Sequence, residues 1–330
     1  MTQTPQESVT IIMWGAHPVA NVERLRAKLR TPAKIVPHDG GHLGDALAQA
    51  RVAVAMRWGA DMPPMPNLAM LQLPGAGYDG IEFAALPADC RVCNVHEHEI
   101  GIGEYVLSAM LEWSIGLCRM DRAFKAGSWE HSLTRFGPTH GEIYGKTVAI
   151  LGFGHIGRAV AHRTKAFGMR VIAITRAPLD DSAAADAVVP VERMGEALAE
   201  ADFVVLACPL TPQTEGLIDR HRLAEMKRDA VLINVARARV VDEDDLFAAL
   251  SEKVIGGAVL DVWYRYPPPG EDEARPSRHP FHMLDNVIMT PHASAWTDGL
   301  LERRWTVIAD NIDRFAAGRP LRNIVALPDA

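Results

Sequence analysis

Three glycines with the spacing of a phosphate-binding turn separate an apolar run from a helical pattern. Residues 152–157 read GFGHIG, which matches G-x-G-x-x-G, and they follow the apolar run TVAIL at 147–151. The first glycine permits a tight bend, the second lets the backbone approach a pyrophosphate, and the third lets helix and strand pack closely. Because a helix N-terminus favours an anion, we predict a dinucleotide site here rather than a turn that binds nothing. Its predicted contacts are Gly152, Gly154, His155, Ile156 and Gly157.

The end of the next apolar run bears on which nicotinamide cofactor is bound. An acidic side chain there accepts hydrogen bonds from the ribose 2′-hydroxyl of NAD, whereas a basic one accommodates the 2′-phosphate of NADP. The sequence reads VIAITR, with Thr175 at the position of the acid and Arg176 next to it. An arginine attracts a phosphate that a carboxylate would repel, so NADP is favoured over NAD. The alternative is that Arg176 is solvated and the site tolerates both cofactors.

These residues need a framework of strands and helices that alternate along the chain. Strands are predicted at 9–14, 51–56, 68–73, 91–95, 147–151, 170–174, 203–207, 230–235, 255–260 and 287–290. Helices are predicted at 22–29, 103–125, 155–167, 243–250 and 299–317. Such alternation is typical of mainly parallel sheets with helices on both faces. The proline-rich and charged residues 262–284 follow a predicted strand, where open sheets of this kind place their ligands.

Composition bounds the class of protein. A chain of 330 residues exceeds what one core usually accommodates, which predicts two domains. The net charge of −7 argues against broad binding to nucleic acid or to an anionic membrane. No apolar run is long enough to span a bilayer, and the N-terminal residues lack the cationic start of a signal peptide. The four cysteines do not have zinc-finger spacing, so we expect reduced thiols, no metal site and a cytoplasmic location.

Four short motifs occur in order along nearly the whole chain. The first is LPGAGYD at 73–79, and the second is the glycine turn at 152–157. The third is INVAR at 233–237, followed by VVDE at 240–243. The fourth is TPH at 290–292, followed by ASA. Together these motifs resemble those of the D-isomer-specific 2-hydroxyacid dehydrogenases. The resemblance implies an NAD(P)-dependent oxidoreductase that transfers a hydride between the nicotinamide and a small 2-keto or 2-hydroxy acid.

The resemblance also implies catalytic roles. Arg237 would hold the substrate's carboxylate and carbonyl through a planar guanidinium that keeps its charge. His292 would exchange a proton with the substrate's hydroxyl, since its pKa lies near working pH. The backbone amides of Gly75, Ala76 and Gly77 would cradle the carboxylate. A lone arginine or histidine after a strand is usually a surface residue, but both of these follow apolar strands of one predicted sheet.

The resemblance further implies residues that line the cofactor groove. Asp261 ends an apolar strand and would bind the carboxamide side of the nicotinamide. The other cofactor contacts implied are Cys208, Pro209, Thr214, Val235, Ala236, His292 and Ser294.

The sequence departs from the family at the partner of the catalytic histidine. Family members usually have a glutamate five residues after the strand-ending aspartate, and Tyr266 holds that position here. A carboxylate would stabilise the imidazolium and raise its pKa, whereas a phenol supplies a hydrogen bond without the charge. We therefore predict that Tyr266 is the partner of His292 and that His292 titrates lower than in relatives.

Several residues bear on the substrate. Arg57 follows a predicted strand and is a candidate contact for the substrate, or else a solvated charge. Residues 96–99, HEHE, have the residue types of a metal site, but an exposed loop is favoured. The aromatic residues Trp263, Tyr264, Tyr266 and Trp296 either form walls for a larger substrate or pack between domains.

The sequence thus predicts an α/β chain with two doubly wound parallel-sheet domains, Rossmann or flavodoxin-like, and a cleft between them. Residues 1–100 with 296–330 would form the substrate domain, and residues 101–295 the dinucleotide-binding domain. The family implies a homodimer, with the arm near Trp129 as a contact. The alternatives for function are a dinucleotide-sensing interaction protein with little turnover, or hydride abstraction from an unusual donor such as formate.

Overall fold

The computed structural model describes residues 8–38, 43–176, 184–268, 270–271 and 273–325. Residues 1–7, 39–42, 177–183, 269, 272 and 326–330 lie outside the described part. The chain divides into two compact units. The first unit comprises Met1–Glu97 and Thr297–Ala330, and the second comprises His98–Trp296.

The first unit is built on a five-stranded parallel sheet with the order β2-β1-β3-β4-β5. Its strands are β1 (Val9–Trp14), β2 (Ala33–His38), β3 (Ala50–Ala55), β4 (Met70–Gln72) and β5 (Arg91–Cys93). Its helices are α1 (Ala16–Val19), α2 (Val22–Lys28), α3 (Ala46–Gln49) and, near the end of the chain, α10 (Asp298–Ala316). The strand order reverses beside β1, because β1 pairs with both β2 and β3.

The second unit contains a seven-stranded parallel sheet with the order β12-β11-β10-β9-β6-β7-β8. Its strands are β6 (Thr147–Leu151), β7 (Arg170–Thr175), β8 (Ala187–Pro190), β9 (Phe203–Leu206), β10 (Val231–Asn234), β11 (Gly257–Leu260) and β12 (Val287–Met289). Its helices are α4 (Glu99–Ile115), α5 (Leu117–Lys125), α6 (His155–Ala166), α7 (Met194–Glu200), α8 (Arg220–Ala224) and α9 (Glu243–Ser251). Here the order reverses between β6 and β9, which pair from Val148 with Phe203 to Leu151 with Leu206.

Each sheet separates two hydrophobic clusters. In β6, Ala149 and Leu151 belong to one cluster while Val148 and Ile150 belong to the other. The two faces of the first unit's sheet are covered in the same way. Strands that are covered on both faces must be apolar at every position, which explains the unbroken apolar runs in the sequence. The predicted fold class, two doubly wound parallel-sheet domains, is confirmed.

The element predictions were wrong in two respects. The strands β2 and β8 were missed because both lie at a sheet edge, include a proline and are partly exposed, so neither reads as an apolar run. The helix predicted at 103–125 is two helices, since Gly116 adopts φ +69° and ends α4 before α5 begins. The other predicted strands agree within three residues at each end.

The described helices include none that is both long and apolar enough to cross a membrane. All four cysteines are free thiols. Burial raises the pKa of Cys90 to about 12 and that of Cys93 and Cys208 to about 11, so these three thiols stay protonated and unreactive.

Candidate active site

The glycine turn after β6 has the geometry that a bound pyrophosphate requires. Gly152 adopts φ +92°, and a Cβ atom there would lie 2.7 Å from the amide nitrogen of Cys208. A Cβ at Gly157 would lie 2.2 Å from the carbonyl oxygen of Gly152. A Cβ at Gly154, in contrast, would meet no atom of the described protein within 4 Å. The chain's own packing therefore requires the first and third glycines, while the second borders open space in which a dinucleotide phosphate fits.

The turn lies where the strand order of the second unit reverses. Its neighbour is the loop after β9, which begins with Ala207 and Cys208. The hydroxyl of Thr214 braces this loop, since it donates to the carbonyl of Pro209 at 2.7 Å and accepts from the amide of Thr211 at 2.8 Å. The residues predicted to line the groove at this edge, Cys208, Pro209 and Thr214, thus belong to one hydrogen-bonded loop beside the turn.

Thr175 is the last residue of β7, and the exposed Arg176 follows it. Because β7 pairs with β6, Arg176 follows the strand next to the glycine turn, and its charge counteracts part of the rise in the pKa of Cys208 that burial causes. His155 is the first residue of α6 and is exposed, and Ile156 is half-buried. The predicted contacts of the adenosine end therefore lie at the carboxyl ends of β6, β7 and β9.

Arg237 is held by the strand that precedes it. Asn234, the buried last residue of β10, accepts from the amide of Ala236 at 3.1 Å and donates its side-chain amide to the carbonyl of Arg237 at 3.1 Å. The guanidinium of Arg237 is half-buried and donates to the carbonyl of Ala236 at 2.9 Å. Val235 and Ala236 are themselves buried. The side chain of Asn234 therefore fixes the loop from which Arg237 projects.

Asp261 holds the loop that carries His292. Its buried carboxylate accepts from the hydroxyl of Thr290 at 2.6 Å, from the amide of Ala293 at 2.7 Å and from the amide of Ser294 at 3.0 Å. These bonds bracket His292, whose φ of +57° lies in the left-handed region. Such a backbone costs a non-glycine residue about 1–2 kcal/mol and persists only where its surroundings impose it. A contact from Asp261 to the nicotinamide carboxamide stays a prediction.

Thr290 links this loop to two further elements. Because its hydroxyl donates to Asp261, it accepts from the phenol of Tyr105 on α4, at 2.6 Å. The indole of Trp263 donates to the carbonyl of Thr290 at 2.8 Å. Burial raises the pKa of Tyr105, which keeps its phenol a donor. The loop that carries His292 is thus anchored from α4, from the end of β11 and from Trp263.

Tyr266 is the hydrogen-bond partner of His292, as predicted from its position in the sequence. The phenol oxygen of Tyr266 lies 2.9 Å from Nδ1 of His292, and the two ring centroids are 5.7 Å apart. The same oxygen accepts the backbone N–H of Trp263 at 3.2 Å. A tyrosine three residues after a tryptophan therefore closes a small loop upon itself and presents its hydroxyl to the imidazole.

The surroundings of His292 lower its pKa from the ordinary value. Removal of water from around the ring is the largest cause, even though part of the residue is exposed, and the positive charge of Arg237 acts in the same direction. The negative charge of Asp261 opposes them. Burial raises the pKa of Tyr266, while the N–H of Trp263 and the charge of Arg237 lower it. Arg237, Tyr266 and His292 thus interact within one unit.

Two of the aromatic residues considered as substrate walls have structural roles. Trp263 is buried and donates to Thr290, and Tyr264 is largely buried and donates its hydroxyl to the carbonyl of Val241 at 3.0 Å. Tyr266 and Trp296 are exposed. These contacts all lie within the second unit, so both alternatives given by the sequence, walls for a substrate and packing between domains, stay predictions.

In the first unit, two residues after β5 hold the predicted carboxylate loop. The amide of Val95 donates to the carbonyl of Gly75 at 3.1 Å, and the side chain of Asn94 donates to the carbonyl of Ala76 at 2.9 Å. In a trans peptide the N–H points opposite to its carbonyl, so the amides of Ala76 and Gly77 point away from Asn94 and Val95. Both amides are therefore available to an anion, and their contact with the substrate's carboxylate stays a prediction.

Arg57 is paired in this structure. Its guanidinium donates to the carboxylate of Asp61 at 2.6 Å, and both side chains are exposed. An exposed ion pair of this kind is weak, so it does not decide whether Arg57 binds an anion. Its contact with a substrate stays a prediction.

The sequence did not identify the residues that position the others: Asn94, Tyr105, Asn234 and the backbone N–H of Trp263. Each acts through a hydrogen bond to a neighbouring loop rather than through a motif of its own. The available signal for Asn94 and Asn234 is a polar residue at the end of an apolar strand, where a buried amide requires partners.

The family model for the NAD binding domain of the D-isomer specific 2-hydroxyacid dehydrogenases matches residues 107–294, more than half of the chain. A glyoxylate reductase of Korarchaeum cryptofilum is 36% identical over 272 residues, which are 79% of this chain and 76% of that protein. A D-3-phosphoglycerate dehydrogenase of Methanocaldococcus jannaschii is 33% identical over 80% of this chain, which spans about half of that relative's length (48%). A solved structure of an NADPH-dependent glyoxylate/hydroxypyruvate reductase of Sinorhizobium meliloti, in complex with NADP and sulfate, superposes with a TM-score of 0.80. Its sequence identity is 26%, over 97% of this chain and 98% of that one.

The parallel sheet, the open glycine turn and the imidazole at one sheet edge define a nicotinamide-dependent oxidoreductase. The chain belongs to the D-isomer specific 2-hydroxyacid dehydrogenase family, whose enzymes depend on NAD(P). When it is bound, the nicotinamide supplies or accepts the hydride, and the residues that fit the dinucleotide are those of the turn at 152–157.

Substitution of two glycines distinguishes cofactor contact from packing. Gly154→Ala adds a methyl group that meets only open space, so we expect wild-type thermal stability and at least about tenfold weaker nucleotide binding. Gly157→Ala pushes a methyl group against the carbonyl of Gly152 and should lower the stability by about 1–3 kcal/mol. Thermal unfolding and cofactor fluorescence titration measure both effects. Unchanged nucleotide affinity in Gly154→Ala would contradict the assignment of this turn.

Proposed function

We propose that the chain reduces a small 2-keto acid to a 2-hydroxy acid, with Arg237 as the carboxylate ligand and His292 as the general acid and base. The observation that supports this most directly is a pair of fixed loops. The loop after β10 carries Arg237, and the loop after β12 carries His292. Buried Asn234 and Asp261 fix these loops, and the charge of Arg237 acts on His292. A left-handed histidine backbone held by three hydrogen bonds is typical of a residue whose side chain must be placed accurately.

The proposed chemistry divides between two groups with different properties. The guanidinium of Arg237 is always charged, so it is suited to hold the carboxylate of the substrate and to polarise the neighbouring carbonyl. His292 uses Nδ1 for Tyr266, which leaves Nε2 to face a substrate. In reduction, Nε2 of the imidazolium gives its proton to the carbonyl oxygen as the carbonyl carbon gains the hydride. Oxidation is the reverse.

We assign substrate binding to the first unit and cofactor binding to the second. The amides of Ala76 and Gly77, which point away from Asn94 and Val95, support an anion contact in the first unit. Glyoxylate and hydroxypyruvate, the acids named for the S. meliloti structure, are the first substrates to test.

Assays of a panel of 2-keto acids with NADPH and NADH test this function. His292→Asn should lower kcat by about 10²–10⁴, since it removes the proton donor. Arg237→Leu should raise KM and lower kcat, together about a hundredfold or more in kcat/KM, because it leaves the carboxylate without its charged ligand. Arg239→Leu is the matched control: it lies two residues further on, is exposed and pairs with Glu215. Cofactor binding without turnover of any acid would instead indicate a dinucleotide sensor.

We further propose that NADP is preferred to NAD. The support is the absence of an acidic side chain at Thr175, the exposed guanidinium of Arg176 beside the groove, and the NADP in the S. meliloti structure. Arg176→Ala should raise the KM for NADPH about tenfold and change that for NADH little, since only the former carries a 2′-phosphate. Arg170→Ala, at the other end of β7 and paired with Glu200, should change neither. Equal effects on both cofactors would count against the preference.

The lowered pKa of His292 sets the pH dependence of the proposed reaction. Reduction needs the imidazolium, so its rate should be highest at low pH and fall as pH rises through a pKa below the ordinary histidine value. Tyr266→Glu places a carboxylate beside the imidazolium and should move this decline upward by about one pH unit. Profiles of kcat/KM against pH for both proteins measure the shift, and an unmoved decline would refute the role of Tyr266.

We also propose a homodimer that uses the arm at residues 117–144. Its exposed apolar side chains are Leu117, Phe124, Trp129, Leu133, Phe136 and Tyr144. So many exposed apolar side chains within one segment, with Phe124 and Trp129 in edge-to-face contact, favour an interface at this arm. Light scattering should give about twice the chain mass of 36.1 kDa, and Phe136→Asp should lower that value. A monomer at micromolar concentration would exclude the dimer.

The free thiols support a cytoplasmic location, which fractionation of the source cells would test.

A further inference from the structure

We propose that Tyr266 donates its phenolic hydrogen to Nδ1 of neutral His292 and so holds the imidazole in the tautomer that carries its hydrogen on Nε2. The effect of this tautomer on catalysis rests on the proposed function. The contacts from which it is inferred all lie within the second unit. It specifies which hydrogen-bonding group the enzyme offers to a substrate before any proton has moved.

The argument begins with the hydrogen-bonding capacity of a phenol. A tyrosine hydroxyl has one hydrogen and two acceptor positions. One acceptor position of Tyr266 is occupied by the backbone N–H of Trp263, at 3.2 Å, and a backbone N–H can only donate. The contact of 2.9 Å with Nδ1 of His292 remains, in which either atom could be the donor.

Donation from the phenol to the neutral ring is favoured for two chemical reasons. A hydroxyl that accepts from an N–H becomes a stronger donor, since hydrogen bonds in a chain polarise one another. Neutral Nδ1 without a hydrogen is in turn a good acceptor for this hydrogen. The other groups whose charges act on His292, Asp261 and Arg237, are not hydrogen-bonded to Nδ1: Asp261 accepts from Thr290, Ala293 and Ser294, and Arg237 donates to Ala236.

The usual glutamate of the family would impose the opposite tautomer. A carboxylate can only accept, so it requires a hydrogen on Nδ1 and leaves Nε2 with a lone pair when the ring is neutral. That lone pair is what a 2-hydroxy acid needs if its hydroxyl hydrogen is to be removed. With tyrosine, neutral Nε2 carries a hydrogen, which suits the carbonyl oxygen of a 2-keto acid and offers no base to a hydroxyl.

As a consequence, reduction and oxidation require different protonation states of His292. Reduction uses the imidazolium, in which both nitrogens carry hydrogen and Tyr266 accepts from Nδ1; the carbonyl oxygen then takes the proton of Nε2. Oxidation requires a neutral ring with its hydrogen on Nδ1, which is the minor tautomer here. In that form the bond from the phenol to Nδ1 is replaced by a weaker bond from Nδ1–H to a phenol oxygen that already accepts from Trp263. If the difference equals an ordinary net hydrogen bond, the form is about tenfold rarer and oxidation is slower by about the same factor.

Nitrogen NMR measures the tautomer without any turnover. The full-length protein labelled with ¹⁵N-histidine is examined by long-range ¹H–¹⁵N correlation at a pH where His292 is neutral, and its signals are assigned by their loss in His292→Asn. We expect a hydrogen on Nε2 and none on Nδ1 in the wild type. Tyr266→Glu should exchange the two nitrogens, and Tyr266→Phe should give a mixture. Tyr264→Phe, in which the removed hydroxyl contacts Val241 instead, should match the wild type.

A hydrogen on Nδ1 in the wild type, or a wild-type pattern in Tyr266→Glu, would overturn the proposal. A kinetic measurement gives a second readout: at a pH where the imidazole is neutral in both proteins, kcat for oxidation of the hydroxy acid should rise about tenfold in Tyr266→Glu. An unchanged kcat would also contradict it. Reductase turnover by the wild type tests the proposed function separately, so a wrong tautomer and a wrong reaction give distinct results.

Discussion

The carboxylate of Asp261 is the interaction on which the arrangement of the second unit's site depends. A buried carboxylate is tolerated only when its lone pairs are satisfied, and here three donors from residues 290–294 satisfy them. The same bonds impose the left-handed backbone of His292. One set of three hydrogen bonds therefore offsets both the free energy of burying the carboxylate and the strain of the His292 backbone. Through Thr290 this set extends to Tyr105 on α4, so the helix and the loop are held together.

The same construction occurs after other strands. Asn234 ends β10 and fixes the backbone of Arg237, and Asn94 follows β5 and fixes the carbonyl of Ala76. In each case a polar side chain at the carboxyl end of a parallel strand forms hydrogen bonds with a loop. The loop follows either the same strand or the neighbouring one. Gln72, fully buried at the end of β4, donates in the same way to the carbonyls of Leu73, Cys93 and Asn94. The sheets thus supply rigid positions, and amides and carboxylates transfer that rigidity to the loops.

Most of the fold could be predicted because its central strands are covered on both faces and must be apolar throughout. β6 was predicted to the residue, whereas the edge strands β2 and β8 were not, because exposure and a proline remove the apolar signal. The break at Gly116 was missed because a single glycine is compatible with a continuous helix. The glycine turn was predictable from its spacing after β6, and the contact of Tyr266 with His292 from the position that the family resemblance gives to the partner of the histidine. The positioning roles of Asn94, Tyr105 and Trp263 depend on contacts between segments far apart in the chain, which spacing does not encode.

The dependence of each loop on a strand-end side chain limits how such enzymes can be rebuilt. A designer who transplants residues 290–296 into a related scaffold would also have to supply an acid at the position of Asp261 and a hydroxyl donor at that of Tyr105. Without them the grafted segment would relax to a right-handed backbone and turn its imidazole elsewhere. The exchangeable module is therefore the strand end together with its loop, and chimeras cut inside that module should lose geometry even where every catalytic side chain is retained.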